Sequence, residues 1–133
     1  MRIAVINATG NQETPEYVKA LAGGMESMGH RVDIIDARSG DGRVLPGYEY
    51  IAAAAEGSFF GGKIPPALGV LLAGAGSLMG KKSAAFIRNN GPFTAKALAR
   101  IMAVMEKEGM CVNWSDSIRN SAHAEALGKM IGS

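Results

Sequence analysis

Only one of the 133 residues is a cysteine, Cys111, so no disulfide can close within the chain. It lies in the apolar run GMCVNW, which predicts a buried, unreactive thiol and a reducing compartment. Long hydrophobic runs are missing too, since nothing approaches the roughly 20 apolar residues of a membrane-crossing helix. The chain enters the strand-like RIAVI with no charged and apolar leader, so a cytoplasmic protein is expected. An excess of one charge is also lacking. Lys and Arg number 14 against 12 for Asp and Glu, and the net charge is +2, with the basic residues scattered, which argues against nucleic-acid binding. No paired carboxylates stand out, and neither His30 nor His123 has a metal-ligand or nucleophile partner at a useful spacing. Both histidines are expected on the surface beside helices, with no catalytic group and no metal site anywhere. The length suits one domain over residues 1–133, with the methionines filling its core.

Short apolar runs alternate with helical patterns along the whole chain. Arg2 to Ile6 reads as a strand, and Thr14-Pro15 offers an N-cap followed by proline in the first turn. A helix from about Pro15 to Met28 would carry Val18, Leu21, Ala22, Met25 and Met28 on one face, with Gly29 ending it. Arg31 to Asp36 is a second strand, and ARSGDGRVLPG is a turn-rich connection with too little periodicity for a long helix. YEYIAAAA, Tyr48 to Ala55, reads as a third strand whose small residues suit a position covered on both faces. A helix over about 65–74, a strand over 83–88 and a helix over 94–108 follow. That last helix has Ala97, Leu98, Ile101, Met102 and Met105 inward and Gly109 closing it. A strand at about 110–114 and a helix at about 122–130 end the pattern.

Five strands alternating with helices predict a doubly wound α/β fold with a parallel sheet between two helical layers. Ligands of such sheets sit beyond the carboxyl ends of the strands, which singles out the loops at residues 7–13, 56–63 and 89–93. The dinucleotide fingerprint needs three spaced glycines after the first strand, and NATGNQE has one. GAGSLMGKKS has the wrong spacing for a P-loop and precedes a strand. A metal-dependent phosphoacceptor would need acidic residues where Ile6-Asn7-Ala8 stands, and the sequons at Asn7 and Asn113 are chance matches in a chain without a secretory signal. Glu56 is the lone acidic residue in the loop after the third strand.

The loop Asn7-Ala8-Thr9-Gly10-Asn11-Gln12 carries no positive charge and leads into a helix, whose N-terminal amides bind anions. ATGNQE resembles the phosphate loop of flavodoxins, Ser/Thr-x-Thr-Gly-Asn-Thr, and YEYIAAAAEGSFFGGKIPPAL resembles their third strand, flavin loop and following helix. The resemblance spans essentially the whole chain and is to the short form of that family. It implies a five-stranded sheet in the order 2-1-3-4-5 and noncovalent FMN. Its phosphate would lie on Thr9, Asn11 and Gln12 and on the backbone from Ala8 through Gly10 to Glu13. Phe60, next to Phe59, would be the inner stacking aromatic and Phe93 the outer one. Gly57, Gly61 and Gly62 would let backbone amides reach the ring edge, with Ser58 and Asn90, in the loop of Asn89 and Gly91, as ring-edge partners. Gln12 stands where the family keeps a threonine, and Pro15 removes an amide donor at the helix start. The slightly basic balance also differs from the acidic surface by which flavodoxin carriers meet basic partners.

The resemblance implies an electron carrier exchanging with a redox partner protein or a small-molecule donor or acceptor, as monomer or homodimer. Two other functions fit the same chain. One is a small FMN-dependent reductase of quinones or flavins using NAD(P)H. The other is a flavodoxin fold without cofactor, serving as a binding module.

Overall fold

A computed structural model of the chain describes residues 1–11, 13–56, 66–89 and 91–131. Five parallel strands form one sheet, as the sequence pattern predicts, in the order β2-β1-β3-β4-β5 that the flavodoxin resemblance implies. They are β1 (Arg2–Ala8), β2 (Arg31–Asp36), β3 (Tyr50–Ala55), β4 (Lys82–Arg88) and β5 (Cys111–Ile118). The helices are α1 (Glu16–Ser27), α2 (Ala67–Ala73), α3 (Thr94–Lys107) and α4 (Ser121–Met130). The turn-rich crossover after β2 holds only a short 3₁₀ helix, Gly42–Gly47, begun by Asp41, whose carboxylate accepts from Arg43 N. No described helix is long and apolar enough to cross a membrane.

Alternation along the strands divides the core between the two faces of the sheet. Ile3 and Val5 of β1, Ala52 and Ala54 of β3 and Phe86 of β4 pack with Val18, Leu21, Met25 and Leu127 under α1 and α4. Ala4, Ile6, Ile51, Ala53 and Ile87 pack on the other face with Leu68, Leu72, Ile101 and Met105 under α2 and α3. All six residues of β3 are buried, so its alanines sit where helices cover both faces.

Several boundaries differ from the sequence expectation for identifiable reasons. Thr14 does not cap α1: Pro15 takes the N-cap position at φ −60° with no side-chain cap bond, and the helix begins at Glu16. Pro15 suits an extended residue just ahead of the helix, and its ring removes a donor there. Met28, expected on the inner face, is 51 % exposed because the helix has ended one residue earlier. Tyr48 and Glu49 precede β3 rather than opening it. β5 runs four residues past Trp114, since Ser115, Asp116 and Ser117 pair with Ala85, Phe86 and Ile87 despite their polarity. Cys111, expected buried, is exposed because it opens this edge strand. Gly29 and Gly109 end α1 and α3 as expected, both at positive φ.

Helix α1 crosses α4 closely enough to exclude side chains. A Cβ on Gly24 would press on the carbonyl oxygen of Glu125, and one on Gly128 would press on that of Leu21. The two glycines thus let the C-terminal halves of both helices pack backbone against backbone.

Candidate functional site

Strand register sets the floor of the site. Ala8 lies beside Ala55 and Ala55 beside Ile87, so the loops after β1, β3 and β4 leave the sheet next to one another. The strand order reverses at β1, with β2 on one side and β3 on the other, the place where open α/β sheets form a crevice.

The loop after β1 is held by its own side chains. Asn7 is buried, and its Oδ1 accepts from Thr9 N at 3.2 Å and from Thr9 Oγ1 at 2.7 Å. Thr9 Oγ1 in turn accepts from Asn11 N at 3.3 Å. The Thr9 hydroxyl thus donates inside the loop. The N–H groups of Gly10, Glu13 and Thr14 form no hydrogen bond among the described residues. Gly10 stands at φ +80°, a conformation that side-chain-bearing residues rarely adopt, and turns the chain there. Behind the loop, α1 begins with the unpaired amides every helix start carries and with Glu16 in its first turn.

A cation braces this loop from outside. Arg38, just beyond β2, donates from Nη2 to Asn11 O at 2.7 Å, while its backbone N–H donates to Asp36 Oδ1 at 2.8 Å. Its guanidinium also pairs with Asp36 at 3.5 Å. The Arg38 amide, and then the Arg38 side chain, hold the Asp36 carboxyl below its usual range. Sequence reasoning missed Arg38 because nothing local marks it. The signal was the strand order, which sets the residue after β2 beside the loop after β1.

The loop after β3 leaves from Glu56, where three elements meet. Tyr17 OH on α1 donates to Glu56 Oε1 at 3.0 Å, and Arg88 Nη1 at the end of β4 lies 3.6 Å from the same oxygen. The Arg88 guanidinium also covers the Tyr17 ring, 5.7 Å from its centroid. Tyr17 is 6 % exposed, and burial, then the Glu56 charge, push its phenol well above the ordinary value. Neither Tyr17 nor Arg88 was expected here. A cleft of about 330 Å3 opens beside them, lined also by Pro15, Arg119 and Ser121. The expected residues Gly57, Ser58, Phe59, Phe60, Gly61 and Gly62 lie outside the described residues, as do Gln12 and Asn90.

After β4, Asn89 N donates to Ile118 O at 2.8 Å, tying this loop to the end of β5. Thr94 Oγ1 donates to Gly91 O at 2.8 Å where α3 begins. Phe93 stands at the head of α3 with 37 % of its surface exposed. Asn89 and Gly91 line a cleft of about 440 Å3 with Leu98, Ser115, Asp116 and Ser117. The β5 residues escaped sequence reasoning because their strand was read too short.

Among the described residues no group of His, Cys, Asp and Glu could hold a metal ion. The histidines take local roles: His30 Nδ1 meets the N-terminal amine at 3.0 Å, and His123 Nδ1 accepts from Arg119 N at 3.1 Å.

No protein-family model matches the chain, and no curated protein sequence matches it. Solved structures do. Oxidised flavodoxin 1 from Bacillus cereus superposes with a TM-score of 0.74 at 19 % identity, over 97 % of this chain and 93 % of that one. A flavodoxin from the domain Archaea gives 0.69 at 19 % identity, over 98 % and 96 %. Two-electron reduced flavodoxin from Megasphaera elsdenii gives 0.72 at 12 % identity, over 96 % of each chain. The fold is therefore flavodoxin-like over nearly the whole chain.

Proposed function

We propose that this chain binds FMN noncovalently across the loops after β1, β3 and β4 and passes electrons to or from a partner. The observation that carries this reading is the junction of three loop roots at Ala8, Ala55 and Ile87, beside a helix start and amides that form no hydrogen bond among the described residues. The donor set fits a phosphate monoester. The N–H groups of Gly10, Glu13 and Thr14 and the dipole of α1 supply neutral donors, and Arg38 engages the Asn11 carbonyl. The exposed Phe93 offers an apolar face to a flat ring. The redox chemistry is the cofactor's, and the chain's part is to bind, orient and shield it. The likeness in fold to proteins named as flavodoxins supports the same reading.

Titration of the purified chain with FMN tests it: a yellow complex with quenched flavin fluorescence is expected, and no binding at micromolar protein overturns it. Steady-state oxidation of NAD(P)H by the reconstituted protein would assign it to the quinone or flavin reductases, and silence there leaves the carrier. The bond from Thr9 Oγ1 to Asn7 favours one second reading, a cofactor-free binding module, because it spends the loop's hydroxyl internally. The same titration decides between them.

A further inference from the structure

We propose that Tyr17, Glu56 and Arg88 form a positioning cluster that fixes the root of the β3 loop and keeps the carboxylate there electrically compensated, so that it tunes the relative affinity for oxidised and reduced FMN. The inference rests on the FMN reading. None of the three is a phosphate-loop residue or a ring-stacking aromatic. Each comes from a different element, α1, the end of β3 and the end of β4, and each touches the other two.

The chemistry follows from the contacts. Glu56 is the last residue before the loop leaves β3, and its side chain is 22 % exposed. A carboxylate in that position needs compensation, because burial disfavours an unpaired charge. Tyr17 donates one hydrogen bond at 3.0 Å, and Arg88 adds a positive charge at 3.6 Å while stacking on the Tyr17 ring. The phenol is buried and remains protonated, so it acts as a fixed donor that orients the carboxylate. The ion pair leaves the root with no net charge. Two-electron, one-proton reduction leaves an isoalloxazine ring anionic, so any net charge at this root acts differently on the two redox states.

The charges give the test a sign. Arg88→Gln leaves the Glu56 carboxylate uncompensated and weakens binding of reduced FMN relative to oxidised. Glu56→Gln leaves Arg88 uncompensated and does the reverse. Each ratio of dissociation constants is expected to move by about twofold to fivefold, the size of a half-exposed charge interaction. The double variant should return close to the parent value, and Arg88→Lys, which keeps the charge, should leave the ratio unchanged. Tyr17→Phe should weaken both redox states together. A merely structural role would lower affinity for both states in every variant without opposite signs. The measurements are FMN dissociation constants in both redox states under anaerobic conditions, with thermal midpoints as the control for folding. Binding by the parent chain with shifts of one sign, or none, overturns the cluster and leaves the FMN reading standing. Failure of the parent chain to bind FMN overturns that reading and this inference with it.

Discussion

Gly24 of α1 and Gly128 of α4 face each other across a helix crossing that has no room for a Cβ on either. An added carbon on one would lie 3.1 Å from the Cα of the other and would press on a neighbouring backbone carbonyl. The opposing atoms are backbone, so only movement of the helices could accommodate a methyl group. Gly24→Ala and Gly128→Ala are each expected to destabilise the fold by about 1–3 kcal/mol, although alanine has the higher helix propensity. Urea unfolding midpoints check this, and Gly23→Ala, with nothing within 4 Å of its Cβ, serves as the control of opposite sign.

The Arg38 brace predicts a local effect on ligand binding. Arg38→Ala removes the bond to Asn11 O and is expected to weaken FMN binding by about threefold to tenfold while changing stability by less than about 1 kcal/mol. The Asp36 carboxyl is depressed in the folded state, so its contribution is present above the unfolded value near 3.8 and is lost as pH falls through the folded one. The brace should therefore hold unchanged from pH 5 to 8 and weaken only as pH falls below the unfolded value near 3.8. FMN affinity against pH, in parent and Asp36→Asn chains, measures it.

Thr9→Val keeps the shape of the side chain and removes its hydroxyl. The Asn11 amide then loses its acceptor, and buried Asn7 Oδ1 retains, among the described residues, the Thr9 amide as its donor. A cost of about 1–3 kcal/mol is expected, recovered in large part by Thr9→Ser. Thermal or urea unfolding of the three chains decides it.

The tyrosines should titrate apart. Tyr50 is pushed up to about 12, first by burial and then by Cys111, while burial and the Glu56 charge raise Tyr17 further. A raised folded value means the protonated phenols stabilise the fold below about pH 10, with that contribution lost as pH rises toward the folded values. Ultraviolet titration should show Tyr48 ionising first. Tyr17→Phe should remove absorbance only from the last phase.

Much of this architecture was legible because it depends on local patterns. The run YEYIAAAA read as a strand covered on both faces, and the spacing of Ala97, Ile101 and Met105 marked the inner face of α3. The end of β5 was not legible, since Ser115-Asp116-Ser117 looks like a loop until β4 supplies its pairing partners. The Thr14 cap failed because the proline after it took the capping position itself. In the candidate loop, Thr9, Gly10 and Asn11 stood out through the resemblance of ATGNQE to the phosphate loop of flavodoxins. Arg38, Tyr17 and Arg88 were not, because their contacts join residues 27 or more positions apart in the chain or cross between elements.

Cys111 is the one thiol of the chain, and it is exposed at the amino end of β5, beside Lys82 at the start of β4. The loops at Glu56 and Asn89 lie at the opposite end of the sheet, about 20 Å away along a seven-residue strand. The molecule therefore carries a built-in attachment point. A maleimide dye, or a gold electrode, bound through this sulfur would hold every copy in one orientation with the loop face turned outward, and no cysteine would have to be added or removed.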